Sequence, residues 1–190
     1  MIRDLIIKNR SYRRFDQSVK ISPKQIEQWI ELARFSASGR NMQPLKYVVC
    51  TSETINHKIF PNLGWAGYLT GWNGPEPGQQ PVAYVVVLHD KSLAEGYFCD
   101  DGIALQSILL GATEEGFGGC IIGSVNKRKV AKILELPEHL EILWLIALGK
   151  PAENVQIDEV VNNEIKYWRD ENGNHHVPKR PLTEIIYKTA

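Results

Sequence analysis

Apolar positions recur at helical spacing in the early part of the chain and gather into short continuous runs later on, with Gly, Pro, Ser and Asn at most of the breaks. IRDLIIKN, at residues 2–9, reads as a short amphipathic helix. SPKQIEQWIELARFS is better marked: Ser22 is placed to cap the helix with Gln25 three positions on, Pro23 takes the first helical position, and Ile26, Trp29, Ile30 and Ala33 follow the helical repeat. SASGRNMQP is turn-forming, and LKYVVCT reads as a buried strand entered from Pro44. A short helix is expected over 53–60. VAYVVVLHD is continuous, apolar and β-branched, which predicts a central strand covered on both faces. FCDDGIALQSILLGATEEG carries apolar groups on more than one stripe of a helix, so it should pack against two surfaces, with a second subunit as a candidate for one of them. GFGGCIIGS then makes a glycine-rich turn into a short strand, Asn126 can cap the helix KRKVAKILEL, and EILWLIALGK supplies another central strand before Pro151. In the tail, IKYWRDENGNHHVP holds a strand, an Asn-Gly turn and a second extended piece, and PKRPLTEIIYK closes with a short helix. Strands separated by helices predict a three-layer α+β or α/β sandwich, without fixing the strand order.

Composition narrows the function more than the fold. The chain has 190 residues, 43% of them apolar, enough for a single domain over 1–190 that buries about 70% of its unfolded surface. Lys plus Arg and Asp plus Glu are equal at 22 each, so no global field draws in nucleic acid or an anionic membrane. Cys50, Cys99 and Cys120 are odd in number and lack metal-ligand or CxxC spacing, and no signal segment is evident, so a reduced, cytoplasmic protein is expected. The longest apolar run, ILWLIAL, is far short of the about 18 residues of a membrane helix. The five histidines show no metal spacing, and His175 and His176 should point to opposite sides of a strand.

The charge is local. NRSYRRF, residues 9–15, places three arginines within five positions directly after the first helix, and Arg10, Ser11 and Arg13 carry the donors that phosphate oxygens accept. A solvated helix end, with cations opposing the C-terminal dipole, is the plainer alternative. There is no GxGxxG and no GxxxxGK[ST], so neither a dinucleotide Rossmann half nor a P-loop holds a phosphate here. SASGRNMQP offers hydroxyls, peptide amides and the carboxamides of Asn41 and Gln43, which suit a heterocycle edge alternating C=O and N–H, or else make an ordinary helix-to-strand turn. GFGGCIIGS can let backbone approach a flat ligand, or can be a tight turn between buried elements. PKRPL pins Lys179 and Arg180 between prolines, as a phosphate clamp or a solvated tail. The stretch from Pro61 to Pro81 is rich in Gly, Pro and rings and too long for an ordinary connector; we expect a surface flap.

Taken in order, these stretches resemble the nitroreductase-like family of FMN-dependent oxidoreductases. The family's Arg-Ser-x-Arg-x-Phe segment is matched by RSYRRF and its Ser-x-x-Asn-x-Gln-Pro loop by SGRNMQP. Its long helix running into a Gly-rich turn is matched by DDGIALQSILLGATEEGFGGCIIGS, and its Leu-Pro followed by a strand ending Leu-Gly-x-Pro by LP at 136 and LGKP at 148; its basic C-terminal segment is matched by KRPL. The resemblance implies a nitroreductase-like fold with a central, mainly antiparallel sheet and a domain-sharing homodimer that binds FMN between subunits. It implies that Arg10 and Ser11 hold the phosphate with Lys179 or Arg180, and that Arg13 approaches the pyrimidine end of the flavin. Ser38, Gly39 and Asn41 would reach across from the partner, and Gln43 either joins them or braces its own turn. The backbone of Ile121, Ile122, Gly123 and Ser124 would cover one flavin face. Many relatives have two arginines where this chain has Asn9 and Arg10, so one phosphate contact is absent. The implied activity is transfer of a hydride from NADH or NADPH through flavin N5 to a nitroaromatic, quinone or related small-molecule acceptor by a ping-pong route, with no protein nucleophile or general base. A flavin-binding or sequestering dimer without turnover is the rival. Trp65, Tyr68 and Trp72 on the flap are then candidates for a lid over the acceptor, with packing onto the protein surface or the dimer seam as the alternative.

Overall fold

The apolar run at 83–90 lies at the middle of the molecule. The computed structural model describes residues 1–189. In chain order its elements are α1 (Ile2–Lys8), β1 (Phe15–Asp16), α2 (Pro23–Phe35), β2 (Leu45–Cys50), α3 (Glu53–Ile59), β3 (Ala83–Asp90), α4 (Asp100–Glu114), β4 (Gly118–Ile122), α5 (Lys127–Ile133), β5 (Leu140–Pro151), β6 (Val155–Glu159), β7 (Trp168–Arg169), β8 (His175–Lys179) and α6 (Leu182–Ile185). Every residue of β3 is buried. It pairs antiparallel with β2 on one side and β5 on the other, and β5 in turn pairs with β4 and, at its end, with β1. All pairings in this sheet are antiparallel, as expected.

Helices cover both faces. Val85, Val87, Ile146 and Leu148 point to the side packed by α2 and α4, where Ile26, Trp29, Leu105 and Ile108 meet them. Tyr84, Val86, Leu145 and Ala147 point the other way, to Ile59, Val130 and Trp65. This alternation along adjacent strands gives the three layers.

Local signals explain most boundaries. Ser22 and Gln25 form the reciprocal cap of α2, and Asn126 accepts from the Lys129 N–H at the start of α5. That helix stops at Ile133, before the expected Leu136, because Glu135 takes a left-handed conformation (φ 52°) and Leu136 precedes Pro137. Helix α4 buries one side on α2 and the sheet, as its double stripe requires.

The tail is more ordered than the sequence pattern suggests. Strand β8 pairs parallel with β6 and antiparallel with β7, making a separate three-stranded satellite sheet. The short extended segment β6 was not expected, since VQIDE has too few apolar positions to show a period. No helix among the described residues is long and apolar enough to cross a membrane.

Candidate functional site

The arginine turn after α1 opens onto a pocket of about 290 Å³. Asn9, Arg10, Ser11 and Arg13 form one wall; Tyr167, His175, Val177 and Lys179 of the satellite sheet and its approach form the other. Three cations and no carboxylate line this space, which is the donor set of an anion site.

Each side chain has an identifiable support. The Asn9 amide faces Gln106 of α4 at 3.4 Å, which ties the turn to the long helix. Arg10 donates from Nη2 to the Ile6 carbonyl at 2.7 Å, while its Nε is buried with no partner; partial burial lowers its pKa. Ser11 bridges to Gly119, so the arginine turn runs beside β4. Arg13 donates from Nη1 to the Ser11 carbonyl at 3.1 Å and lies 3.2 Å from His175 Nε2, with its guanidinium 4.9 Å from the centre of the Tyr167 ring. Arg14 is half-buried, its Nε without a partner.

Of the two basic residues in PKRPL, Lys179 lines the pocket. Arg180 instead donates to Glu184 at 2.7 Å and Asn163 at 3.0 Å.

The glycine-rich stretch adjoins this wall through Gly119. Its glycines serve close packing inside the protein: a Cβ at Gly119 would fall 2.5 Å from the Ala147 carbonyl, and one at Gly123 2.6 Å from the Trp144 ring. Ile122 is buried, Ile121 is exposed, and the Ser124 carbonyl accepts the Gly64 N–H at 2.7 Å, which joins this stretch to the flap.

The flap rings are engaged. Trp65 is buried among Phe60 and Trp72, with its indole N–H unpartnered. Arg169 lies over the Trp72 ring at 4.2 Å. Tyr68 is exposed on one side and packs on Tyr167 at 4.9 Å, with its N–H directed at the Tyr167 hydroxyl. Trp65 and Trp72 are therefore packed into the protein, and Tyr68 is the flap ring that reaches the pocket wall.

The carboxamide loop stands elsewhere, at the start of α4. Ser38 donates to Asp100 at 2.6 Å, and the Gly39 N–H to the same carboxylate at 2.8 Å. Asp100 is buried at the N-terminal turn of α4, where the helix dipole favours an anion. Arg40, Asn41 and Gln43 all have positive φ (52°, 55° and 51°), a costly conformation for non-glycine residues, in a loop that the Asp100 contacts anchor at Ser38 and Gly39. Gln43 donates its side-chain amide to the Asn41 carbonyl at 3.3 Å, bracing its own turn. Ser38 and Gln43 line a second pocket of about 180 Å³ with Tyr47, whose pKa burial and then Asp100 push up to about 12. One chain thus brings Arg10, Ser11, Arg13 and Lys179 together but does not bring Ser38, Gly39, Asn41 or Gln43 to them.

Four supporting residues, one at the carboxamide loop and three at the arginine pocket, are not announced by the sequence pattern. Asp100 is recoverable as an acid in a first helical turn. Tyr167, His175 and Glu153 are contributed by the tail, whose strand pairing no motif announces. Glu153 accepts the N–H groups of Arg13 at 2.5 Å and Arg14 at 3.2 Å, and pairs with Arg169 at 3.0 Å.

Residues 6–66 and 70–150 match the family model described as "Nitroreductase family". An oxygen-insensitive NADPH nitroreductase of Helicobacter pylori is 27% identical over 78% of this chain and 86% of its own length. Among solved structures, a nitroreductase family protein of Streptococcus pneumoniae superposes with a TM-score of 0.71 at 20% identity over the full length of both chains. An FMN-dependent nitroreductase of Clostridium difficile gives 0.67 at 18% identity, covering 86% of this chain and 92% of that one. At these identities the structural matches establish the fold.

Proposed function

The chain belongs to the nitroreductase family, and from that membership and the arginine pocket we propose that it is an FMN-dependent oxidoreductase that takes reducing equivalents from NADH or NADPH and passes them to a nitroaromatic, quinone or related conjugated acceptor. The observation that carries the reading is the pocket itself: Arg10, Arg13 and Lys179 converge with no acid among them, and the Arg10 Nε is buried without an acceptor. A phosphate fits that lining, because it would accept from the unpaired donor and offset the burial of the guanidinium.

In this reading Arg10, Ser11 and Lys179 hold the FMN phosphate, and Arg13 faces the pyrimidine end of the ring. When bound, FMN supplies hydride acceptance and donation at N5. Arg13 places a positive charge where negative charge gathers on reduction, and its peptide position is fixed by Glu153. The backbone of Ile121, Ile122, Gly123 and Ser124 borders the ring face. No protein nucleophile is assigned.

The second half of the site comes from a partner copy. Ser38, Gly39 and Asn41 stand at the start of α4, away from their own chain's arginine pocket; Asp100 takes the Ser38 hydroxyl and the Gly39 N–H and so fixes the loop, and Asn41 offers its carboxamide. Two chains related by a twofold axis can complete each other's site. Exposed Ile2, Ile6, Ile7, Leu32, Phe35 and Tyr187 supply apolar surface for such a seam. Tyr68, exposed at the pocket wall, is then the flap residue placed to meet an acceptor.

The test is steady-state oxidation of NADH and NADPH by the FMN-loaded protein over a matrix of donor and acceptor concentrations. Parallel double-reciprocal lines support a ping-pong oxidoreductase. FMN binding without turnover with any quinone or nitroaromatic would leave a sequestering role and overturn the enzymatic one.

A further inference from the structure

We propose that Tyr167 and His175 are positioning residues that aim the Arg13 guanidinium into the anion pocket and thereby set how strongly the site prefers reduced over oxidised flavin. This rests on the FMN reading given above and extends it to a part of the chain, from residue 151 onward, that lies outside the family match.

Arg13 has no carboxylate partner among the described residues. Glu153 takes its peptide N–H, and Arg169 takes the other oxygen of that carboxylate. The guanidinium is instead shaped by neutral groups. Nη1 is tied to the Ser11 carbonyl and to His175 Nε2, and the Tyr167 ring lies beneath it. A guanidinium only donates, so Nε2 of His175 must accept, which fixes the proton on Nδ1. Nδ1 is buried without a partner, so the ring keeps an unsatisfied N–H while meeting Arg13.

Cations dominate the surroundings of His175 and oppose its protonation. It is fully buried, Arg13, Arg169 and Arg14 lie close to it and Lys179 lines the same pocket, while the nearby Glu153 carboxylate is taken up by Arg169 and by the peptide N–H groups of Arg13 and Arg14. Burial first, and Arg13 next, push its pKa down to about 4. His175 therefore stays an uncharged acceptor at neutral pH, and the positive charge of Arg13 remains uncompensated. That is the arrangement needed to stabilise an anion that forms in the pocket.

Tyr167 links this device to the flap. Its ring packs on His175 at 5.2 Å and on Tyr68 at 4.9 Å. The three rings form a wedge whose middle member carries Arg13. Removing the Tyr167 ring frees the guanidinium on one side, and removing the His175 acceptor frees it at its tip.

The test measures the midpoint potential of bound FMN against a reference dye, together with the Kd of oxidised FMN, for the wild type and four variants. His175→Leu and Tyr167→Leu are expected to lower the preference for reduced FMN by about tenfold, a shift of about 30 mV to more negative potential for a two-electron couple. His175→Gln, which retains an acceptor, and Tyr167→Phe, which retains the ring face, are expected to stay within twofold of wild type. If His175→Leu does not fold, the Tyr167 pair decides. Unchanged potentials in both leucine variants, with FMN still bound, would overturn this inference alone; a wild-type chain that takes up no FMN would overturn the proposed function, and the inference with it.

Discussion

Glu153 follows Arg13 by 140 residues and accepts its peptide N–H at 2.5 Å. The same carboxylate takes the Arg14 N–H and the Arg169 guanidinium, and its side chain is only 2% exposed. One buried acid therefore fixes the arginine turn to the tail. Glu153→Ala leaves the Arg169 guanidinium and two peptide N–H groups without their acceptor, and should reduce unfolding stability by about 3–5 kcal/mol. Urea denaturation with an unchanged m-value checks this; a loss below about 1 kcal/mol would mean that the turn is held by something else.

Lys179 and Arg180 are neighbours with different employment. Lys179→Ala should weaken FMN binding tenfold to a hundredfold, roughly the 1.5–3 kcal/mol of a hydrogen bond to a charged group. Arg180→Ala should leave the affinity within twofold, because its guanidinium is occupied by Glu184 and Asn163. Fluorescence titration with FMN reads both, and the opposite ranking would contradict the assignment.

Gly119 has a backbone carbonyl nearest to where a Cβ would go, with the Leu109 and Leu148 side chains just beyond it. Because the Ala147 carbonyl would lie 2.5 Å away and cannot swing aside, Gly119→Ala should displace β4 from β5 and destabilise by about 1–3 kcal/mol. Thermal melting would show it as a drop in Tm. An alanine variant as stable as wild type would mean that the two strands separate easily at this point.

Acid sensitivity should centre on His175. Its pKa is about 4 when folded and near 6.5 when unfolded, so the unfolded chain binds the proton first as the pH falls. The stability it contributes is complete above about pH 6.5 and is lost between there and pH 4, roughly 3 kcal/mol over the whole window. His176 works in the opposite sense: burial favours its neutral form, but the hydrogen bond to Asp158 and the neighbouring Asp170 carboxylate outweigh that and raise its pKa, so its contribution fades as the pH rises. Asp16, Asp90, Asp170 and Glu141 are held below their ordinary values and act at lower pH still. Stability measured from pH 4 to 7 should therefore flatten in His175→Gln and not in His176→Gln. Equal slopes in wild type and His175→Gln would refute the account of this ring.

Most of the fold was legible because the signals are local. The cap at Ser22 and Gln25, the β-branched run of β3 and the two-sided apolar pattern of α4 each depend on residues within one element. The arginine turn was legible for the same reason. The far wall of the pocket was not: Tyr167 and His175 reach it only through the pairing of β8 with β6 and β7, a contact between polar segments that leaves no period in the sequence. The glycines at 119 and 123 were visible as candidates for close approach, but the surface they approach is the protein's own β5 and Trp144. Trp65 shows the limit of composition, since a ring in a Gly- and Pro-rich stretch reads as surface and is in fact core.

The central claim is that a flavin sits with its phosphate against Arg10, Ser11 and Lys179 and its ring at a seam completed by the Ser38–Asn41 loop of a second copy. A crystal structure of the protein grown with FMN tests it most directly. The expected result is one flavin per chain in a twofold dimer, the phosphate on those three side chains and the ring beside Arg13. A monomer with FMN bound away from the arginine pocket, or crystals grown in excess FMN that contain none, would contradict it.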